Sequence, residues 1–253
     1  IIGLGYVGLT LAVSMAEVGF KVWGVEKILK TVQNLNEGKA HFYEPKLEEK
    51  MKELLRKKDL IVSSKLPDDQ KKWVYIITVG TPLNAENKIR LDMVEEASHQ
   101  VGKHLKDESL VILRSTLKLG TTREVVLPIL KSYKKKVDVA FCPERTVEGQ
   151  ALTELRHLPQ IIGGITFEAG LRASKLFQFI TSTVVKVNEP ETAEMIKMID
   201  NTQRDVSFAF SNEIALACDA SGISAVEVIK AGKLGYPRTN LYMPGPVGGP
   251  CLS

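Results

Sequence analysis

Cysteine is scarce in this 253-residue chain. Its three residues, Cys142, Cys218 and Cys251, are odd in number and widely spread. That argues against a disulfide framework and leads to the expectation of a reducing, cytoplasmic setting. No apolar run approaches the roughly 18 to 20 residues that a membrane-spanning helix needs. No sign of charge dominates, since 34 Lys+Arg against 30 Asp+Glu leave +4. Such a balance suits an anionic ligand but falls far short of the basic bias that nucleic acid demands. Neither a nucleic-acid partner nor a membrane partner is therefore expected, and no metal site is expected either. Internal repeats at solenoid periods and low-complexity tracts are also missing. What remains is ordinary: 44% apolar and 25% charged residues. That composition excludes a disordered chain, a collagen-like repeat and a disulfide-stapled miniprotein. The length allows one large or two modest domains. The chain opens on apolar Ile1-Ile2 without Met and stops at Ser253 in a Gly/Pro-rich loop, so a piece of a longer protein is expected.

Short apolar runs alternate with amphipathic stretches. Strands are expected at Ile1–Leu4, Lys21–Val25, Leu60–Ser63, Val74–Val79, Leu110–Leu113, Val137–Phe141, Ile161–Ile162 and Val184–Val187. Helices are expected at Val7–Val18, Leu29–Asn36, Lys46–Lys57, Asp92–Leu105, Thr121–Leu130 and Phe167–Phe179. The alternation predicts an α/β fold, a doubly wound Rossmann-type parallel sheet with helices on both faces. From Pro190 to about Ala220 the pattern is continuously helical, and Ser221-Gly222 supplies a stop. A helix of that length spans roughly 45 Å and suits a domain bridge or a dimer interface. The boundary is set near Asn188, giving a first domain over 1–188 and a helical segment over 189–253.

Gly3-Leu4-Gly5-Tyr6-Val7-Gly8 has the spacing G-x-G-x-x-G, after a strand and at the start of a helix. The first glycine makes the tight turn, the second admits a pyrophosphate, and the third lets helix and strand pack closely. The helix N-terminus offers unpaired N–H groups and partial positive charge to the phosphates. Glu26 ends the next strand, 18 residues past Gly8. A carboxylate there accepts from the adenine ribose hydroxyls and repels a 2′-phosphate, which selects NAD over NADP. Thr81, in Gly80-Thr81-Pro82, and Ser115-Thr116 follow two further strands, where ligands of such sheets bind. Each also reads as an ordinary cap or turn residue.

Four features of the second half carry chemistry. Cys142-Pro143-Glu144-Arg145-Thr146-Val147-Glu148 sets two carboxylates four residues apart beside an arginine, directly after a strand. A surface loop with an internal ion pair is the alternative. Lys197, Asn201 and Arg204 sit at offsets of four and three on the long helix, neighbours on one face. They suit an alkoxide or a phosphorylated sugar, or a polar stripe on a half-buried helix. Cys251, in Gly248-Gly249-Pro250-Cys251, is a nucleophile candidate, because its glycine-rich loop is no packing environment. Cys142 and Cys218 read as packing residues. Arg238, in Gly235-Tyr236-Pro237-Arg238, places a basic group in the loop leading to Cys251.

Taken in order, GLGYVGL, VGTP, RST, PER followed by Glu148, AEMIKMIDNTQRDVSFAFSNE and GGPC resemble the UDP-glucose/GDP-mannose dehydrogenase family over nearly the whole chain. CPERTVEGQALTELRHLPQIIGG further resembles the branch that oxidises UDP-N-acetylmannosamine. The resemblance implies NAD-dependent oxidation of a C6 alcohol to a carboxylate in two steps, through an enzyme-bound thioester. It implies Cys251 as nucleophile, Lys197 and Asn201 at the reacting oxygen, and Glu148 beside the hydrolytic water. Glu144, Arg145, Thr146, Arg204, Arg238 and Gly248 are implied at the substrate, with Lys197 and Asn201. Gly3, Gly5, Tyr6, Val7, Gly8, Glu26, Thr81, Ser115 and Thr116 are implied at NAD. A UDP-sugar substrate, a homodimer through the long helix and a UDP-binding domain outside this chain are also expected. UDP-N-acetylglucosamine or UDP-glucose is the alternative substrate, and a noncatalytic NAD-binding dimerisation module is the rival from another class. From Arg238 to Cys251 the chain is one residue shorter than the family spacing, and Tyr236 stands where relatives often carry His.

Overall fold

The computed structural model describes residues 1–247 apart from Gln70 and Asn87. The chain divides into two compact units, Ile1–Met195 and Ile196–Ser253.

In the first unit the strands are β1 (Val22–Val25), β2 (Leu60–Ser63), β3 (Val74–Ile77), β4 (Ser109–Leu113), β5 (Val137–Phe141), β6 (Gln160–Gly164) and β7 (Val184–Val187). β1 and β2 form one parallel pair, and β3-β4-β5-β6-β7 form a five-stranded sheet. Ile2 joins them, bridging in parallel to Val25 on one side and Ile77 on the other. The Ile2 N–H donates to the Ile76 carbonyl at 2.8 Å, and the Gly3 N–H donates to that of Val25 at 2.8 Å. The expected Ile1–Leu4 strand is thus a short central seam, cut off by the turn that begins at Gly3.

One pairing departs from the parallel expectation: β5 and β6 are antiparallel, with Ala140 opposite Gly164. The intervening helix α6 (Ala151–His157) does not carry the chain across the sheet. It is held at the edge where β5 ends, so the chain re-enters from that same edge. Sequence periodicity missed α6 because seven residues give too few turns to show a face.

The helices preceding it are α1 (Tyr6–Glu17), α2 (Leu29–Asn36), α3 (Leu47–Lys57), α4 (Asp92–His104) and α5 (Leu127–Ser132). α1 is buried continuously from Gly8 to Ala16, which is why its sequence is apolar all round rather than striped. All five residues of β4 are buried. Leu4, Leu9, Leu11, Ile112, Phe141 and Phe177 are among the fully buried side chains, each stabilising by roughly 1.5–3 kcal/mol relative to exposure. The helix expected over Thr121–Leu130 begins as a π-helical turn, Thr122–Val126, before α5. Pro128 has no N–H for the i→i−4 ladder, and a widened turn ahead of it absorbs the defect. α7 (Phe167–Phe177) opens on Thr166, whose hydroxyl accepts from the Ala169 N–H.

The 31-residue α8 (Pro190–Ala220) runs from the first unit into the second. It stops at Gly222, which adopts φ +66°, a conformation glycine takes without strain. α9 (Ala225–Lys233) follows, capped by the Ser224 hydroxyl accepting from the Glu227 N–H. Ser-x-x-Glu was a legible start signal for this helix. In the next loop Gly245 is bracketed by Asn212 of α8, which donates to its carbonyl at 2.8 Å and accepts from its N–H at 2.9 Å. No described helix is long and apolar enough to cross a membrane.

Candidate functional site

The glycine turn follows the central seam. Gly3 has φ +90°, and a Cβ there would lie 3.0 Å from the Val79 nitrogen. A Cβ on Gly8 would lie 1.8 Å from the Gly3 carbonyl oxygen and 2.5 Å from Thr78 Oγ1. Nothing lies within 4 Å of a Cβ on Gly5, which caps α1 without any side-chain hydrogen bond. So Gly3 and Gly8 serve the turn and its packing, while Gly5 faces open space at a helix N-terminus. That cradle fits a dinucleotide pyrophosphate.

Thr78 was missed from the sequence. It is buried at the end of β3, and its hydroxyl lies 2.7 Å from the Gly3 carbonyl and 3.0 Å from that of Ile2. It fastens the turn to the sheet. Glu26, half-buried just past β1, accepts from the Leu4 N–H through Oε2 and the Ile28 N–H through Oε1, both at 3.1 Å. These bonds aim the carboxylate, and each oxygen keeps acceptor capacity for a ribose hydroxyl. Tyr6 and Val7 form the first turn of α1.

The loops after β3 and β4 are tied to each other. Thr81 donates to the Thr116 carbonyl at 2.6 Å, and Ser115 donates to that of Val79 at 2.6 Å. Ser115 is buried and Thr116 exposed. The Ser115 hydroxyl, expected as a cofactor contact, thus gives its proton to a bond that holds the two loops together and keeps its acceptor lone pairs.

Glu144 lies deeper than its neighbours in the loop. It was expected at the substrate but is 5% exposed, and Arg114, at 1%, faces it. Arg114 Nη2 and Nε lie 2.7 and 3.0 Å from Glu144 Oε2. Glu144 Oε1 accepts from the N–H groups of Arg145 and Thr146 at 2.7 and 2.9 Å. Both oxygens are thereby occupied. Burial alone would raise the Glu144 carboxyl, but Arg114 and those N–H groups outweigh it and hold it below the usual carboxylate range. The remaining Arg114 nitrogen donates to Gln160 Oε1 at 2.9 Å and to Cys142 Sγ at 3.1 Å. Phe177 lies against the guanidinium, 5.1 Å from ring centre to Cζ. Burial pushes the Cys142 thiol up to about 11 despite the arginine. Cys142 is a packing residue, as the sequence suggested. The loop's carboxylate thus pairs not within the loop, as the alternative reading had it, but with an arginine at the end of β4.

This anchor leaves Arg145 and Thr146 half-buried and Glu148 exposed. Thr146 Oγ1 is buried without a hydrogen-bond partner among the described residues. A second carboxylate, Glu44, grips the far end of the loop. It is 6% exposed, and Tyr6 Oη, the Gly149 N–H and the Leu152 N–H stand 2.8, 2.9 and 3.1 Å from its oxygens. Burial first, and then Glu44, push the Tyr6 hydroxyl well above its ordinary pKa.

In the second unit Lys197, Asn201 and Arg204 occupy successive turns of α8, all partly exposed. Arg204 Nε and Asp205 Oδ1 are buried without hydrogen-bond partners among the described residues. Arg238 is exposed, its guanidinium 4.5 Å from the centre of the Tyr236 ring. Gly248 and Cys251 lie outside the described residues. Among the described residues no group of three or more His, Cys, Asp or Glu forms a metal-binding cluster.

Comparison with known proteins adds the following. Residues 1–181 match the NAD binding domain of the UDP-glucose/GDP-mannose dehydrogenase family, and residues 191–253 match that family's central domain. A UDP-N-acetyl-D-mannosamine dehydrogenase of Yersinia pestis is 34% identical over 265 residues, covering 100% of this chain and 62% of that protein. One from Pyrococcus horikoshii is 35% identical over 257 residues, covering 100% and 61%. The solved UDP-D-ManNAc dehydrogenase from Pyrococcus horikoshii superposes with a TM-score of 0.92 at 34% identity, covering 100% of this chain and 61% of that one. A UDP-glucose dehydrogenase from Pyrobaculum islandicum gives 0.84 at 28% identity, covering 92% and 55%. The chain thus spans about three-fifths of the length of the curated relatives named, 62% and 61%.

Proposed function

The chain belongs to the UDP-glucose/GDP-mannose dehydrogenase family and carries its NAD-binding domain; from that premise we propose that the intact protein oxidises the C6 alcohol of UDP-N-acetyl-D-mannosamine to the uronate. The observation that carries the reading is the join between the Gly3–Gly8 turn, with Glu26 beyond it, and the Arg145–Glu148 loop, which Tyr6 and Glu44 fasten to that turn.

NAD supplies the hydride acceptor for two successive oxidations. In this reading Gly5 and the first turn of α1 hold its pyrophosphate, and Glu26 disfavours a 2′-phosphate by uncompensated repulsion. Lys197 accepts the proton of the C6 hydroxyl as the first hydride leaves, and Asn201 donates to the same oxygen. The Cys251 thiolate then adds to the aldehyde carbon, giving a thiohemiacetal. Loss of the second hydride converts it to a thioester. Water, deprotonated with help from Glu148, displaces the thiolate and releases the acid. Arg145, Thr146, Arg204, Arg238 and Gly248 contact the sugar nucleotide. Residues 1–188 act as the cofactor domain and 189–253 as a dimerisation helix and central domain.

The preference among sugars follows from the loop. A 2-acetamido group presents one carbonyl acceptor and one N–H donor and is larger than a hydroxyl. The compact Thr146, whose Oγ1 is buried without a hydrogen-bond partner among the described residues, supports a place for it. NADH formation by the full-length protein, measured over a panel of UDP-sugars, tests the reading. The expected kcat/KM for UDP-N-acetylmannosamine exceeds that for UDP-glucose by at least about tenfold, or roughly 1.4 kcal/mol. Preference for UDP-glucose or UDP-N-acetylglucosamine would overturn the choice of sugar. No NADH with any of them would favour the noncatalytic module.

A further inference from the structure

The buried carboxylate of Glu44, in the loop between α2 and α3, has no part in the mechanism just given. It meets three donors at once: Tyr6 Oη at 2.8 Å, the Gly149 N–H at 2.9 Å and the Leu152 N–H at 3.1 Å. Leu152 lies in the first turn of α6, and the residue that caps this helix, Gln150, contributes no side-chain bond. Glu44 therefore caps α6 from outside, where a negative charge is favoured. The Tyr6 hydroxyl lies 3.0 Å from the Val147 carbonyl and accepts from the Gly149 N–H at 3.1 Å. Val147 itself donates to Glu154 at 2.7 Å. Residues 147–152 are thus gripped from the first residue of α1, while Arg114 holds Glu144 at the other end of the loop. Arg145, Thr146 and Glu148 lie within the fastened stretch.

Only an acceptor suits that position. A glutamine would bring two N–H groups among three donors and leave at least one buried donor facing another, a situation more costly than the mean hydrogen bond is worth.

We propose that Glu44 is a positioning residue which, through Tyr6, holds the Arg145–Glu148 segment in register with the glycine turn, so that the loop facing the sugar nucleotide is set by the element facing the cofactor. This rests on the reading of the site given above. Neither residue touches the reacting atoms in this role. Their effect is on the placement of the loop, to which rates are sensitive.

The test uses the full-length protein with Glu44→Gln, Tyr6→Phe and the double variant. Each single substitution is expected to lower kcat/KM for the best UDP-sugar of the panel by about 10- to 100-fold, the worth of one hydrogen bond to a charged group. Glu44→Gln should leave the Kd for NAD within about threefold, since no bond of the glycine turn itself is lost. The double variant should be no worse than the weaker single, because both break one connection. Unchanged kcat/KM in both singles, equal losses for NAD and sugar, or single effects that multiply would each overturn the proposal.

A second measurement is independent of sugar identity and serves also if Glu44→Gln fails to fold. Adding NAD should slow amide exchange of Gly149 and Leu152 in the wild type, and Tyr6→Phe should abolish that slowing. Equal slowing in both proteins would overturn the relay even if the sugar chemistry stood. Absence of turnover with every sugar, alongside intact slowing that Tyr6→Phe abolishes, would overturn the proposed reaction and leave the connection between cofactor turn and loop in place.

Discussion

Arg114 and Glu144 form an ion pair at 2.7 Å in which the arginine side chain is fully shielded from water and the glutamate side chain nearly so. Removing one partner strands the other charge in a low-dielectric interior. Glu144→Ala is expected to destabilise the fold by about 3–5 kcal/mol, whereas replacing both partners by apolar residues of similar volume should cost less. Urea unfolding of the single and double variants checks this. The same pair sets an acid limit. The Glu144 carboxyl is lower in the folded state than its unfolded value near 4.3. Its contribution is present above that value and fades as pH falls through the folded one. The Glu144→Ala variant should lose the corresponding part of the acid slope.

Cys142 should behave as an inert thiol. Burial raises it to about 11, so the thiolate that alkylating reagents need is scarce near neutrality. Alkylation at pH 8 is expected to reach Cys142 only on unfolding, as peptide mapping would show. Because an unfolded thiol titrates near 8.5, stability should decline as pH rises from there towards 11, and Cys142→Ala should flatten that decline. Labelling of Cys142 in the native protein as fast as in urea would refute the assignment.

Two glycines of one turn should fail in different ways. Gly8→Ala drives a methyl to 1.8 Å from the Gly3 carbonyl oxygen, and the overpacked turn should lose about 1–3 kcal/mol of stability. Gly5→Ala meets nothing within 4 Å, so stability should change by under about 1 kcal/mol. Its methyl nevertheless enters the space assigned to the pyrophosphate. NAD titrations beside thermal melts separate the two. A Gly5→Ala protein with wild-type NAD affinity would remove the phosphate from that position.

Lys197→Ala is expected to slow the first hydride transfer by roughly 10²- to 10⁴-fold, the reach of a positioned acid–base group. Cys251→Ala should leave NAD binding unchanged and stop acid release instead. Single-turnover rates and product analysis distinguish the two. An unchanged first step in Lys197→Ala would return Lys197, Asn201 and Arg204 to the role of a polar stripe on α8.

What could be read beforehand divides by distance along the chain. The glycine turn was legible because three glycines at fixed offsets encode one backbone path, and α4 and α8 because several turns of pattern sum to a clear signal. Thr78, Arg114 and Glu44 were not. Each acts on a partner 30 or more residues away: Thr78 on Gly3, Arg114 on Glu144, and Glu44 on Leu152. No local pattern records such pairings. The burial of Glu144 was hidden for the same reason, since its neighbours allow an exposed loop and only the fold supplies Arg114. The reversal of β6 escaped because strand direction depends on where α6 is held, and the carboxylate that holds it lies far upstream.

The seam at Ile2 has a consequence for how the chain is made. Its partner on one side, Val25, precedes its partner on the other, Ile77, by roughly fifty residues, a gap of several seconds of synthesis at about 5–20 residues per second. If Ile2 pairs with Val25 before Ile77 is made, the apolar segment would be bare along its other edge through that interval, the arrangement that recruits strands from neighbouring chains. Nascent chains halted before and after Ile77 emerges should differ in protease protection of the Ile2 segment. The residues that lead into the glycine turn would thus be, while synthesis runs, a strand edge still waiting for its second neighbour.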